Sequence, residues 1–182
     1  VTVDVDIHDY ESLIEPIRHR MVNTIWKLVR DPDDTEDAVQ EALERIYKKF
    51  KKIRRHPNPT ALILRICVNT AYDQLRRTQR KQRREGTIES SGHLSVSDPS
   101  PAESAAQKEQ LQRVLEAVKR LPRREAEAIL LLAVEGFSYS QTAEAMACRE
   151  ASVRSMIAKA RRRLISLFDQ TELRGLMEVQ ES

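Results

Sequence analysis

Cationic side chains gather in this 182-residue chain into runs dense enough to neutralise a polyanion. Residues 45–55, RIYKKFKKIRR, hold seven basic side chains and no acidic one; residues 76–84, RRTQRKQRR, hold six more, and residues 154–163 hold five. Just before the first run, residues 33–44, DDTEDAVQEALE, hold six acidic side chains and no basic one. A helix that needs only solubility mixes its signs, so this segregation suggests surfaces with different partners. Solvated faces are the plain alternative for any single run. The net charge of +3 points weakly toward nucleic acid.

Other chemistry is harder to assemble. There is no glycine-rich phosphate loop, no carboxylate pair in a plausible cleft and no nucleophile with a neighbouring base, which argues for an adaptor and not an enzyme. His8, His19, His56 and His93 are isolated and read as structural or solvent-exposed. Cys67 and Cys148 lie far apart without metal-ligand spacing, so both read as small buried hydrophobes, and neither a metal nor a cofactor is expected. No window approaches the roughly 18 to 20 apolar residues of a membrane helix, and the start VTVDVDIHDY is acidic where a signal peptide would be basic. A cytoplasmic protein is expected.

The elements that position these groups should be helices. A chain with 40% hydrophobic residues, 32% charge and only four glycines is folded, and the pattern is all-α throughout. Leu13, Ile14, Ile17, Met21, Ile25, Leu28 and Val29 place one apolar stripe on a helix over 10–30. Asp31 and Pro32 then read as N-cap and first helical residue of a second helix, from about 32 to 52. RHPNPT breaks the chain, and a third helix should run from about 60 to 84, apolar from Leu62 to Ala71 and basic beyond. EGTIESSGHLSVSDPSPAES has no sustained period and reads as a flexible linker. The boundaries are therefore 1–84 for one small helical domain, 85–104 for the linker, 105–168 for a second domain and 169–182 for a polar tail.

In the second domain, REAEAILLLAVEG closes at Gly136, suited to a left-handed C-terminal position. Ser138 and Gln141 have capping-box spacing and start a short helix whose inward side is Tyr139, Ala143 and Met146. After a turn at Ala147-Cys148-Arg149, a last helix buries Val153, Ile157, Ala160, Leu164 and Phe168 along one stripe. Its opposite side carries Ala151, Ser152, Ser155, Lys159 and Arg162, with short residues where a base edge could be approached and cations where phosphates would lie. Two such helices have the dimensions of a DNA-binding helix-turn-helix; an ordinary helical hairpin with a basic outer face is the alternative. In the first domain, Asp37, Gln40, Glu41 and Glu44 share a polar stripe opposite Val39, Leu43, Ile46 and Phe50. Asn69, Asp73, Arg76 and Arg80 share a face of the third helix.

These stripes, the linker and the terminal helix-turn-helix occur in one order, and here the sequence resembles the extracytoplasmic-function sigma factors, two-domain sigma subunits of bacterial RNA polymerase. DPDDTEDAVQEALERIYKKF is similar to that family's acidic segment contacting the polymerase clamp helices, and LILRICVNTAYDQLRR to its promoter-reading helix. LPRREAEAILLLAVEGFSYSQTAEAMACREASVRSMIAKARRRL is similar to its C-terminal helix-turn-helix. The resemblance implies that Asp37, Gln40, Glu41 and Glu44 bind core polymerase. It implies a minus-10 site of Lys51, Lys52, Arg54, Arg55 and Asn58, in the loop that receives a flipped base, with Asn69, Asp73, Arg76, Arg77 and Arg80 on the helix below. It implies a minus-35 site of Arg149, Ala151, Ser152, Arg154, Ser155, Lys159 and Arg162. The partners it implies are core RNA polymerase, promoter DNA and an anti-sigma factor, with transcription initiation as the function. A DNA-binding regulator acting without polymerase, or a helical scaffold for a sigma antagonist, are the alternatives. Leu62, Ala147, Arg149 and Met156 depart from the family's common residues and bear on promoter preference.

Overall fold

Asp31 adopts extended backbone, its carboxylate accepts the Asp34 N–H at 2.9 Å, and Pro32 occupies the first helical position, so a helix starts where the sequence places it. The computed structural model describes residues 7–85 and 105–168. Among them every regular element is helical: α1 (Ile7–Ile14), a 3-10 turn (Glu15–Ile17), α2 (Arg18–Val29), α3 (Pro32–Lys48), α4 (Phe50–Arg54) and α5 (Pro59–Glu85), then α6 (Ala105–Val118), α7 (Arg123–Ala133), α8 (Tyr139–Ala145) and α9 (Glu150–Leu167). Nearly all of the expected linker and the whole expected tail lie outside the described residues.

Two expected helices are split. Pro16 inside the first lacks the N–H that a continuous ladder needs, and the chain takes a 3-10 turn between α1 and α2. The second ends at Lys48; Lys49 leaves helical geometry and α4 forms separately. Lys51, Lys52 and Arg54 therefore sit on a short helix and not in a loop.

The first half is built around α5, which packs against both α2 and α3. Ala61, Ile63, Leu64, Cys67, Val68 and Ala71 of α5 are fully buried, together with Met21, Ile25 and Leu28 of α2. Of the expected stripe Ile46 and Phe50 are buried, whereas Val39 and Leu43 are half-buried, and the buried side of α3 is completed by Thr35, Ala38 and Ala42. Small alanines let α3 approach the neighbours that flank it, and the wider side chains pack at the margins. This rotation carries Glu41 toward α5 instead of toward solvent. Burial pushes the Cys67 thiol far above its ordinary range, so it is inert; Cys148 is only half-buried.

In the second half α9 packs against α7 and α8. Gly136 is left-handed at φ 67°, and the Ser138–Gln141 capping box is complete, with bonds of 3.1 and 2.9 Å. Val153, Ile157, Ala160 and Leu164 are buried as expected, whereas Phe168 is half-buried just past the helix end. The turn between α8 and α9 places Ala147 at φ 50°. Both α7 and α8 also lean on α5, joining the two halves along one seam.

A left-handed alanine is strained by roughly 1 to 2 kcal/mol, more than the extra unfolded-state freedom of glycine, roughly 0.4 to 1 kcal/mol. Ala147→Gly is therefore expected to raise stability by about 0.5 kcal/mol. Gly136→Ala, whose new methyl would meet nothing within 4 Å, is expected to lower it by about 1 kcal/mol from backbone strain alone. Denaturant melts of both variants check the two signs.

Candidate functional site

The acidic surface of α3 is only partly available. Asp37, Gln40 and Glu44 are exposed, the last within 3.4 Å of Lys48. Glu41 is half-buried: Arg77 of α5 donates to both its oxygens, at 2.8 and 3.0 Å, and Arg45 donates to one at 2.6 Å. The Arg77 bond, reinforced by the Arg45 charge against partial burial, holds the Glu41 carboxyl below the usual carboxylate range. Two residues expected to serve different partners, Glu41 and Arg77, thus serve each other. Asp34, at the start of α3, accepts from Gln74 and Thr78 of α5, each at 2.9 Å.

Residues expected at the minus-10 element do not share one environment. Lys51, Lys52, Arg55 and Arg80 are exposed, and so is Arg54, which pairs with Asp9. Asn58 is committed to the start of α5, its side-chain oxygen accepting the Ala61 N–H at 3.0 Å, which makes it a cap. Asn69 and Asp73 face the second half of the protein instead of solvent. Asn69 donates to Glu127 of α7 at 3.0 Å, and Asp73 takes a two-pronged pair from Arg123, at 3.0 and 3.2 Å, beside Arg45 at 3.2 Å. Arg76 lies over the Tyr72 ring at 5.8 Å.

The residues expected at the minus-35 element lie on α9 and its N-cap. Ala151, Ser155, Lys159 and Arg162 are exposed on the side away from the buried stripe, and Ser152 is half-exposed. Arg149 holds the N-cap position with extended backbone but makes no side-chain cap. Arg154 is held in place, bonded to Glu150 at 2.6 Å and stacked 4.5 Å over the Tyr139 ring. Lys159 and Arg162 project away from the buried stripe with short side chains nearer the helix start, while Arg163 on the flank pairs with Glu125 of α7 at 3.1 Å.

Several residues that organise this surface do not stand out in the sequence. Arg65 lies four residues before Asn69 and eight before Asp73, on the same face of α5, so its periodicity is a signal that could have found it. Its guanidinium pairs with Glu127 and donates to the Ala145 carbonyl at 2.9 Å. Glu127, Glu135, Arg123 and Arg45 carry no such local signal, because their partners are distant in sequence. Between the halves a cavity of about 340 Å³ is lined by Lys49, Lys52, Arg65, Asn69, Arg123 and Glu127, among others.

Family models match both halves: sigma-70 region 2 over residues 13–81 and sigma-70, region 4 over residues 111–164. The chain is 30% identical over 152 residues to the ECF RNA polymerase sigma factor SigM of Mycobacterium tuberculosis, across 82% of this chain and 72% of that protein. The chain belongs to the extracytoplasmic-function sigma factors of the sigma-70 family. It directs RNA polymerase to promoters. This sigma factor is also 26% identical over 162 residues to the RNA polymerase sigma-H factor of Pseudomonas aeruginosa, across 86% of this chain and 84% of that one. Among solved structures it is similar to the sigma factor RpoE of Bartonella quintana in complex with the anti-sigma factor NepR. That match has a TM-score of 0.56 and 26% identity, covering 87% of this chain and 96% of the other. The fold is also that of CnrH in complex with the cytosolic domain of CnrY, with a TM-score of 0.54, 18% identity, and 91% and 90% of the two chains covered.

Because the Glu41 carboxyl titrates lower in the folded protein than in the unfolded chain, its pairing stabilises the fold above the ordinary carboxylate range. That contribution disappears as pH falls through the depressed value. Glu41→Gln is expected to reduce stability near neutral pH and to converge on the wild type in strong acid, measured by denaturant melts across pH.

Proposed function

We propose that the two halves divide the work of promoter selection. Residues 1–84 hold core polymerase and read the minus-10 element, residues 85–104 span the distance, and residues 105–168 read the minus-35 element. Asp37, Gln40 and Glu44 of α3 present the acidic and polar groups for the basic clamp helices, with Glu41 shared between that contact and Arg77. The basic residues of α4 and the following turn, Lys51, Lys52, Arg54 and Arg55, neutralise phosphates of the opened strand, with Arg76 and Arg80 farther along α5. Unpairing a base costs a few kcal/mol, and these contacts together with capture of the unpaired base offset that cost.

The observation that carries the reading is the outward side of α9. Its short and cationic residues are exposed opposite four buried apolar ones, which leaves a helix surface free to enter a major groove. The protein acts as an adaptor without catalysis of its own and works in the cytoplasm with the polymerase. Among the described residues no helix is long and apolar enough to cross a membrane. Two structural neighbours are complexes, one of them described as holding an anti-sigma factor, which supports an anti-sigma partner here as well.

Run-off transcription with core polymerase on genomic promoter fragments tests the reading: added protein should yield discrete new transcripts, and an unchanged transcript pattern would contradict it. Asp37→Lys is expected to weaken core binding by an order of magnitude or so, as a reversed charge against a basic surface should. Replacing Lys159 and Arg162 together with alanine should weaken duplex binding and lower the slope of log affinity against log salt by about 2, near one for each phosphate no longer neutralised.

A further inference from the structure

We propose that the cavity between the two halves is a binding site for a small molecule that carries a diphosphate and a flat ring, the class of the nucleoside diphosphates. Residues of both halves hold it. The ligand is not promoter DNA and its binding is measured without DNA or polymerase, so its failure would leave the promoter-directing role untouched.

Charge around the cavity is out of balance. Its lining includes five basic side chains, Arg45, Lys49, Lys52, Arg65 and Arg123, against the single carboxylate of Glu127. The arginines must share their counterions. Glu127 pairs with Arg65, while Asp73 serves both Arg45 and Arg123, at 3.2 and 3.0 Å. Glu41, the other partner of Arg45, is also held by Arg77. Lys49 and Lys52 are exposed and have no carboxylate in ion-pair contact among the described residues. The Lys52 N–H donates to the Lys49 carbonyl at 2.9 Å, which sets the two lysines one turn apart, where their charges repel.

A diphosphate answers this imbalance in one compact group. Its oxygens accept from ammonium groups and from guanidinium forks, which grip phosphate through paired N–H donors. The rest of the wall is apolar: Ile53 and Ile66 are buried and Leu62 is half-buried, a surface against which a ring can pack. A few charged groups on a largely apolar wall is the usual make-up of a ligand site, and the volume of about 340 Å³ lies at the lower end of such cavities, roughly 300 to 1,000 Å³. Arg123, at the start of α7, is the basic lining residue that the second half contributes, so a bound ligand touches both halves at once. Of the strand contacts proposed above only Lys52 lines the cavity. Lys49 and Arg123 therefore probe it without disturbing them.

Isothermal titration calorimetry on the full chain at physiological ionic strength tests this, with pyrophosphate, ADP, GDP and adenosine as probes. One molecule of ADP or GDP should bind per chain, several-fold more tightly than pyrophosphate, and adenosine should not bind. Saturating ADP should also raise the midpoint of a denaturant melt, because it binds only the folded chain. Lys49→Ala and Arg123→Ala should each weaken ADP binding roughly tenfold, as loss of one charge-assisted bond does. Lys27→Ala, which removes an exposed cation of α2 outside the cavity, should leave it unchanged. Circular dichroism checks that helix content is kept; if Arg123→Ala does not fold, Lys49→Ala, which breaks no ion pair, decides. Absence of saturable binding by every diphosphate overturns the proposal, and so does binding that the Lys49 variant leaves intact or that Lys27→Ala weakens equally. Pyrophosphate bound as tightly as ADP overturns the role of the apolar wall and with it the nucleotide.

Discussion

One helix must satisfy an apolar core over its first half and carry a cationic load over its second, and the rest of this sigma factor is arranged around that demand. From Ala61 to Tyr72 the inner side of α5 is closed off from water by α2 and α3. Each fully buried leucine or isoleucine there contributes about 1.5 to 3 kcal/mol, far more than a typical exposed ion pair at about 0 to 1 kcal/mol. The burial therefore sets the position of α5, and the charged residues that follow on the same rigid rod inherit their placement. Changes to the polar end should alter binding without moving the helix. Changes to the buried end would move every contact at once.

Sequence periodicity locates most helices and every buried residue of α9, because an amphipathic stripe is a local signal. The capping box at Ser138 and the left-handed Gly136 are equally local, and both are present. Breaks within helices are less visible: Pro16 and Lys49 interrupt stripes that continue across them in apolar period. The buried face of α3 is turned part-way from the expected one, sharing Ile46 with it, since alanine is a weak marker of burial in a sequence but a strong enabler of close helix packing. That shift of roughly 65°, at 100° per residue, is what turns Glu41 from a free carboxylate into the partner of Arg77.

Site residues follow a similar rule. Where the local neighbourhood decides exposure, as at Asp37, Lys159 and Arg162, the position is readable. Where a distant helix decides it, as at Asn69 and Asp73, the spacing groups the residues correctly on one face of α5 but says nothing of what covers that face. Asn58 shows a different failure: an asparagine flanked by Pro57 and Pro59 has the sequence signature of an open loop, yet it serves as the cap that starts α5. Cap and contact use the same side-chain atoms, and only three-dimensional placement tells which use prevails.

The seam between the halves differs in kind from the packing inside them. Beside a hydrophobic cluster that runs through both halves it carries buried polar contacts: a carboxylate shared by Arg65 and Asn69, the Asp73–Arg123 pair, Glu135 with Arg20, and a tyrosine hydroxyl on a carbonyl. Water and phosphate can replace such partners, whereas nothing replaces the apolar neighbours of Ile25 or Leu64 except loss of the core. Polar interfaces within a chain are those expected to open, and salt weakens their exposed members first. The carboxylates of Glu127 and Glu135 are exceptions, because either one left buried without its guanidinium would cost several kcal/mol. Any separation must therefore carry both carboxylates out to water as Arg65 and Arg20 leave them.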